Sequence, residues 1–222
     1  RWPWRIMKNV FELEPTTNIS RDDSYIVSYP HILAHFQSFN DFSQKDFVCG
    51  AHIVYGWMPT ILDLNPSKLP VNFQHGAEIL NEAKKNGQLS DCHLEVLAQL
   101  VNNSLVGASK LLHFVAPNSF AIWDSKIYKF VFNQAAHNYR VNQIGKYREY
   151  LSELERIRKH SSFSAFHNSV NAKVGYEVSA LRAIELVMFI NSGQPAAQAD
   201  RRYAAPAELF VGQLKYNEEA GT

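Results

Sequence analysis

Only two of the 222 residues are cysteine, Cys49 and Cys92. Two thiols exclude a disulfide framework and, by themselves, a four-thiolate zinc or iron–sulfur centre. Unpaired cysteines suit a reducing compartment, and no basic–apolar–small leader pattern opens the chain. Long apolar runs are lacking as well. The longest spans Leu186 to Ile190, against about 20 residues needed to cross a bilayer, so no membrane association is expected. An excess of one charge is also missing: 22 Lys and Arg face 21 Asp and Glu, a formal net charge of +1. That excludes a partner held by overall charge alone. What is present is apolar and aromatic content, 46% and 13% of the residues. This excludes a disordered chain, and a chain of this length buries roughly 70% of its unfolded surface.

The balanced total conceals a polarity. Residues 11–100 carry eleven acids and five bases, whereas residues 105–160 carry nine bases and four acids. The basic segment is a candidate polyanion-facing side. A solvated helix face is the plainer account of residues 146–160, where Glu155 and Lys159 stand four apart.

The apolar spacing is helical almost throughout, and no series of alternating strands is evident. Asp22 or Asp23 can cap a first helix, which Pro30 is expected to interrupt. Ser43 and Asp46 have capping-box spacing, opening a helix that Gly56 and Pro59 should end. Asn65-Pro66 and Pro70 mark a loop. A helix from Phe73 to Lys85 stops at Gly87, and Ser90 or Asp91 caps the next. The connection 102–107 leads to a helix over Ala108–Val115. Pro117 and Asn118 break it, and the apolar segment Phe120–Trp123 reaches Asp124, which starts a helix through Phe132. Helices over Val141–His160, Phe163–Asn171 and Val178–Ile190 follow; the last is apolar on most sides. The Ala/Gln-rich stretch from Gln194 to Pro206 reads as a linker. The expected fold class is all-α.

Chemistry concentrates in residues 104–132, SLVGASKLLHFVAPNSFAIWDSKIYKFVF. Two helices meet at a tight turn containing Val106-Gly107. A lysine follows, then an apolar stretch, then Asp124-Ser125-Lys126-Ile127. A glycine in such a hairpin lets backbone N–H groups approach a phosphate. A carboxylate fixed at the next helix start can stabilise positive charge developing on a sugar or position a water. An amine could instead attack the sugar carbon.

This segment resembles the core of the helix-hairpin-helix DNA glycosylases, the endonuclease-III and oxoguanine-glycosylase superfamily. The likeness is carried by Val106, Gly107 and Lys110, and by Ile122, Asp124, Ser125, Ile127 and Lys129. It covers about thirty residues. Leu105 stands where the family has its first hairpin glycine, Ser109 where it has its lysine, and Lys126 where it has a histidine. The fourteen-residue step from Lys110 to Asp124 is shorter than the family's by about one helical turn.

The resemblance implies a two-lobed helical domain with the hairpin at the cleft. One lobe would span 18–115 and end in the hairpin. The other would combine 1–17 with 116–192, leaving 193–222 as linker and tail. It implies an enzyme that flips out and excises a damaged or modified base from double-stranded DNA and leaves an abasic site. Repair and defence against modified foreign DNA are both compatible roles. Asp124 would be catalytic, with Lys110 as the candidate Schiff-base amine. Leu105, Val106, Gly107, Ser109, Lys126, Lys129, Arg140 and Lys146 would contact DNA, and Tyr55, Trp57, His113 and Trp123 would wall the base pocket. Asn40 and Gln44 are candidates to fill the gap left by the base. No H-E-x-x-H or paired Cys/His spacing appears, so neither metal nor cofactor is expected. A monomer in the cytoplasm or on the nucleoid is the expected setting. For each residue there is a plainer role: helix cap for Asp124, solvated lysine for Lys110, core packing for the aromatics. The competing readings are a helical DNA-binding module without catalysis and a helical toxin- or antitoxin-type partner.

Overall fold

The computed structural model describes residues 10–58, 60–64 and 72–192. The expectations for Pro59, Asn65-Pro66, Pro70 and the tail from 193 lie outside them. Among the described residues there is no strand, and the all-α class stands. After a 3₁₀ turn over Glu14–Thr16 come ten helices: α1 (Ser24–Gln37), α2 (Gln44–Trp57), α3 (Phe73–Asn86), α4 (Asp91–Leu100), α5 (Leu105–Val115), α6 (Ser125–Phe132), α7 (Asn138–Val141), α8 (Ile144–Arg158), α9 (Phe163–Val174) and α10 (Ala180–Ile190).

The caps follow local chemistry. The Asp23 carboxylate accepts from the Tyr25 N–H, Ser43 and Asp46 form the reciprocal capping box, and Ser90 caps α4. Gly87 closes α3 at φ +63°, a left-handed position that favours glycine.

Pro30 does not break α1; the helix runs through it. A proline at this point leaves the Ile26 carbonyl without its helical donor. That carbonyl instead accepts the Tyr176 hydroxyl at 2.7 Å, so a residue 150 positions away supplies the missing bond. Several helix ends also differ from expectation. α5 begins at Leu105, placing Val106 and Gly107 inside its first turn, and α2 continues through Gly56 to Trp57. Glu155 pairs with Arg158 at 2.7 Å, not with Lys159, which is the C-cap of α8.

The buried side chains form one continuous cluster drawn from all ten helices. A division at 115/116 is not marked by any break in it. At its centre runs a non-helical segment, Phe120–Trp123, whose four side chains are buried. Buried backbone must still find hydrogen-bond partners, and side chains provide them. His113 Nδ1 donates to the Phe120 carbonyl at 2.8 Å. The Tyr147 and Tyr150 hydroxyls donate to the carbonyls of Ala121 and Ile122, at 3.0 and 3.2 Å. The Trp123 N–H donates to Ser109 Oγ at 3.1 Å.

With Nδ1 donating, His113 Nε2 must accept, and it receives the Tyr29 hydroxyl at 2.8 Å. Burial pushes the His113 pKa down to about 3, with the Arg182 charge adding to the shift. The ordinary value near 6.5 is recovered on unfolding, so the unfolded chain binds the extra proton between those two pH values. The stabilisation from neutral His113 is complete above pH 6.5 and is lost as pH falls toward 3. Acid melts should show this. Wild-type stability should decline more steeply below pH 6.5 than that of His113→Gln, by up to about 1.4 kcal/mol per pH unit. Glutamine can donate and accept in the same places but does not titrate.

Candidate functional site

α4 and α5 form the expected helical hairpin, joined by Val101–Ser104. Asn102 and Asn103 both take left-handed backbone conformations to make the turn. Most donors of the first turn of α5 are engaged within the protein. The Leu105 N–H donates to Asn142 Oδ1 at 2.9 Å, that of Gly107 to Ser104 Oγ, and that of Ala108 to the Ser104 carbonyl. The Val106 N–H is the one left for an external acceptor.

Gly107 is small for a reason other than phosphate approach. A Cβ there would stand 2.0 Å from the Tyr55 hydroxyl oxygen, and that hydroxyl donates to the Val101 carbonyl at the hairpin turn. The glycine lets α2 press against α5.

The site proper is the pair Lys110 and Asp124. Asp124 is the N-cap of α6, its Oδ1 accepting from the Lys126 and Ile127 N–H groups at 2.9 Å each. Trp123 and Tyr128 make the flanking ring contact at 5.8 Å, a hydrophobic staple. Oδ2 remains and faces Lys110 Nζ at 4.0 Å. Capping and pairing are therefore both performed by one carboxylate. The two side chains are 14% and 13% exposed, enough to touch solvent while losing most of its screening. Burial holds the Lys110 pKa below the usual lysine range, and Asp124 opposes the shift.

The core holds a second charged pair, which the sequence alone did not single out. Arg182 and Glu185 on α10 are 5% and 1% exposed and make a close ion pair. The Arg182 guanidinium also sits over the Tyr29 ring at 4.9 Å and the Trp57 ring at 5.8 Å. Burial raises the Glu185 carboxyl pKa and the guanidinium counters it. The available sequence signal was two opposite charges, one turn apart, in an otherwise apolar helix.

Several candidate residues are placed elsewhere in the molecule's economy. Ser109 is fully buried, and its hydroxyl bonds the backbone of Val106 and Trp123. It has no surface with which to meet DNA, and neither does buried Leu105. Tyr55, His113 and Trp123 are core residues with their polar atoms satisfied internally, Trp123 Nε1 by the Val141 carbonyl at 2.8 Å. They offer no face to an everted base. Trp57 alone of the four expected pocket residues is partly exposed. Asn40 is exposed, and Gln44 is the first residue of α2.

The cations also divide. Lys146 pairs with Glu149 at 3.0 Å, and Arg148 pairs with Asp91 at 3.0 Å. Lys126 rests its amine over the Phe189 ring at 4.0 Å, and Arg140 its guanidinium over exposed Tyr139 at 5.4 Å. Lys129 is exposed. An open groove of about 690 Å³ lies between α6 and α8, lined by Val131, Phe132, Gln134, Lys146, Arg148 and Arg156 among others. Neither Lys110 nor Asp124 lines it.

No family model, curated protein or solved structure matches the chain. Among the described residues no three His, Cys, Asp or Glu side chains converge as a metal site would require, and no helix is long and apolar enough to cross a membrane.

The packing account of Gly107 is testable. Gly107→Ala should cost about 1–3 kcal/mol by overpacking, read from the denaturant midpoint. In a Tyr55→Ala background the same change should cost much less, because the obstructing ring is gone.

Proposed function

We propose that the chain is a DNA N-glycosylase that extrudes a damaged or modified base and hydrolyses its glycosidic bond, leaving an abasic site. The observation that supports this most is the approach of Lys110, on the second helix of the hairpin, to Asp124, the cap of the next helix, both largely withdrawn from water. Both residues belong to the segment that resembles the glycosylase motif.

The chemistry fits that pair. As the bond to the base breaks, its electrons leave with the base and positive charge grows on the sugar. The Asp124 carboxylate, fixed by two backbone N–H groups, offers a preorganised negative charge for it and an acceptor to orient the attacking water. Lys110 carries a proton beside it. An ammonium whose pKa is brought down from the usual lysine range is a better acid toward the leaving base. The same amine, once deprotonated, could attack the sugar carbon and carry the reaction on to strand cleavage.

The hairpin contributes less than its sequence suggests. With one N–H of its first turn without a partner among the described residues, it offers phosphate a single backbone donor, and Lys129 and Arg140 are cations with no carboxylate partner there. A non-catalytic DNA-binding role rests on the same surface and is separated by the assay.

DNA carrying oxidised, alkylated, deaminated or glucosylated bases, followed by alkali, should show breaks at one lesion class. Asp124→Asn keeps a good helix cap while removing the charge, so the fold should persist and excision should fall about 10²–10⁴-fold. Borohydride should trap no covalent adduct; an adduct lost in Lys110→Met would make Lys110 the nucleophile. Binding without excision on every lesion class would sink the enzymatic reading.

A further inference from the structure

The groove between α6 and α8 is lined by neither Lys110 nor Asp124 and has a chemistry of its own. Val131 and Phe132 give it an apolar wall, and Lys146, Arg148, Glu153 and Arg156 give it charge. At about 690 Å³ it has the size of a small-molecule site, roughly 300–1,000 Å³, in which apolar surface is joined to a few placed polar groups. Glu153 is its unusual member. It is 8% exposed, and its Oε2 accepts from Arg156 Nη1 at 3.0 Å. Its Oε1 is buried with no hydrogen-bond partner among the described residues. Native proteins leave few such atoms, and each calls for a reason. The cations are held more loosely. Lys146 pairs with Glu149 and Arg148 with Asp91, both mostly exposed carboxylates, and ion pairs of that kind are weak. The Lys146 amine also stands 4.6 Å from the centre of the Phe132 ring, which puts positive charge beside the apolar wall.

We infer that this groove binds a small anion that carries a flat ring with an exocyclic amine, the chemistry of a nucleoside monophosphate. The ring lies against Val131 and Phe132, the amine donates to Glu153 Oε1, and the phosphate meets Lys146 and Arg148. Each part answers one feature of the groove. An ionised carboxylate oxygen only accepts, so the partner that Oε1 lacks is a donor. The anion follows from charge: three of the side chains lining the groove are cationic and two anionic, and one of those two, Glu149, is an exposed group that a ligand can displace. Phosphate then replaces weak surface pairs with charge-assisted bonds, for which the arginine fork is well shaped. Oε1 is reached by displacing the Arg156 side chain, which is 40% exposed and bonds the other carboxylate oxygen. Turned outward, the guanidinium adds its charge to those around the phosphate. The site stands whether or not the chain is a glycosylase, because it shares no residue with the Lys110–Asp124 pair.

Pairs of nucleotides that differ only at the amine provide the test. Cytidine and uridine monophosphate form one pair and adenosine and inosine monophosphate the other, each with an amine in the first member and a carbonyl in the second. All four, and inorganic phosphate, are titrated into the full chain by calorimetry. In at least one pair the amine-bearing member should bind ~10-fold or more tightly than its carbonyl counterpart, since a carbonyl facing Glu153 forfeits a charge-assisted hydrogen bond. It should also bind ~10-fold or more tightly than inorganic phosphate, which lacks the ring. Glu153→Gln can donate to a carbonyl, so it should erase or reverse the preference for the amine. Equal affinity within both pairs, binding of phosphate as tight as that of the nucleotides, or no binding at millimolar concentration overturns the inference. Should Glu153→Gln not fold, Lys146→Glu changes a partly exposed side chain and should weaken nucleotide binding ~10-fold. An unchanged affinity in that variant overturns the inference equally.

Discussion

A stretch of four residues that is not helical runs through the middle of a helical protein, and its peptide groups need partners. Residues 120–123 are buried, where an unmade backbone hydrogen bond costs about 1–3 kcal/mol. Helix geometry cannot help an extended segment, so side chains from two helices do. α5 gives Ser109 and His113, and α8 gives Tyr147 and Tyr150. The indole of Trp123 donates in turn to the Val141 carbonyl of α7. Because the segment ends at Asp124, these bonds also fix where α6 begins. The carboxylate faces Lys110 because the backbone leading to it is tied down at each step.

The same constraint decides which polar residues the core contains. Tyr29 is recruited because His113 needs a donor at Nε2 once Nδ1 is committed. Tyr176 is recruited because Pro30 frees a carbonyl. The buried tyrosines, with His113 and Ser109, serve in large part as hydrogen-bond donors and acceptors for irregular backbone. The buried pocket candidates Tyr55, His113 and Trp123 therefore belong to the architecture, and the Lys110–Asp124 pair stands out because its groups are not consumed in that way. Asp124 keeps one oxygen, and Lys110 all its protons, for something outside the backbone.

What the sequence made legible was whatever depends on neighbours in the chain. The Ser43–Asp46 box, the Ser90 cap, the Gly87 stop and the Asp124 cap are all decided within four residues, and each was readable. The sequence grouped Asp124 and Lys110 as candidates of one site, without indicating that their side chains approach each other. What depends on partners far along the chain was not legible. Pro30 reads as a break until Tyr176 is known to supply the missing bond. Gly107 reads as a phosphate contact until Tyr55 is known to lie against it. Ser109 reads as a variant at a functional position until Trp123 is seen to need it. Arg182 and Glu185 had a local signal, their one-turn spacing, but burial gives that spacing its meaning, and burial is a property of the assembled helices.

The charge polarity along the chain changes meaning in the same way. Residues 105–160 are basic and the preceding ninety acidic, which in sequence suggests one face of each sign. In the fold the segments are stitched together: Arg148 of the basic segment pairs with Asp91 of the acidic one, while Lys146 is answered within its own helix. The cations left to meet a polyanion are fewer than the count implies, with exposed Lys129 and the Arg140–Tyr139 corner foremost. Few phosphate contacts mean a shallow dependence of affinity on salt. If the proposed glycosylase reading holds, such a protein cannot rely on electrostatic grip to stay on DNA. Under the proposed reading, discrimination would have to come from what reaches the Lys110–Asp124 pair, where the amine and the carboxylate stand 4.0 Å apart and mostly out of water.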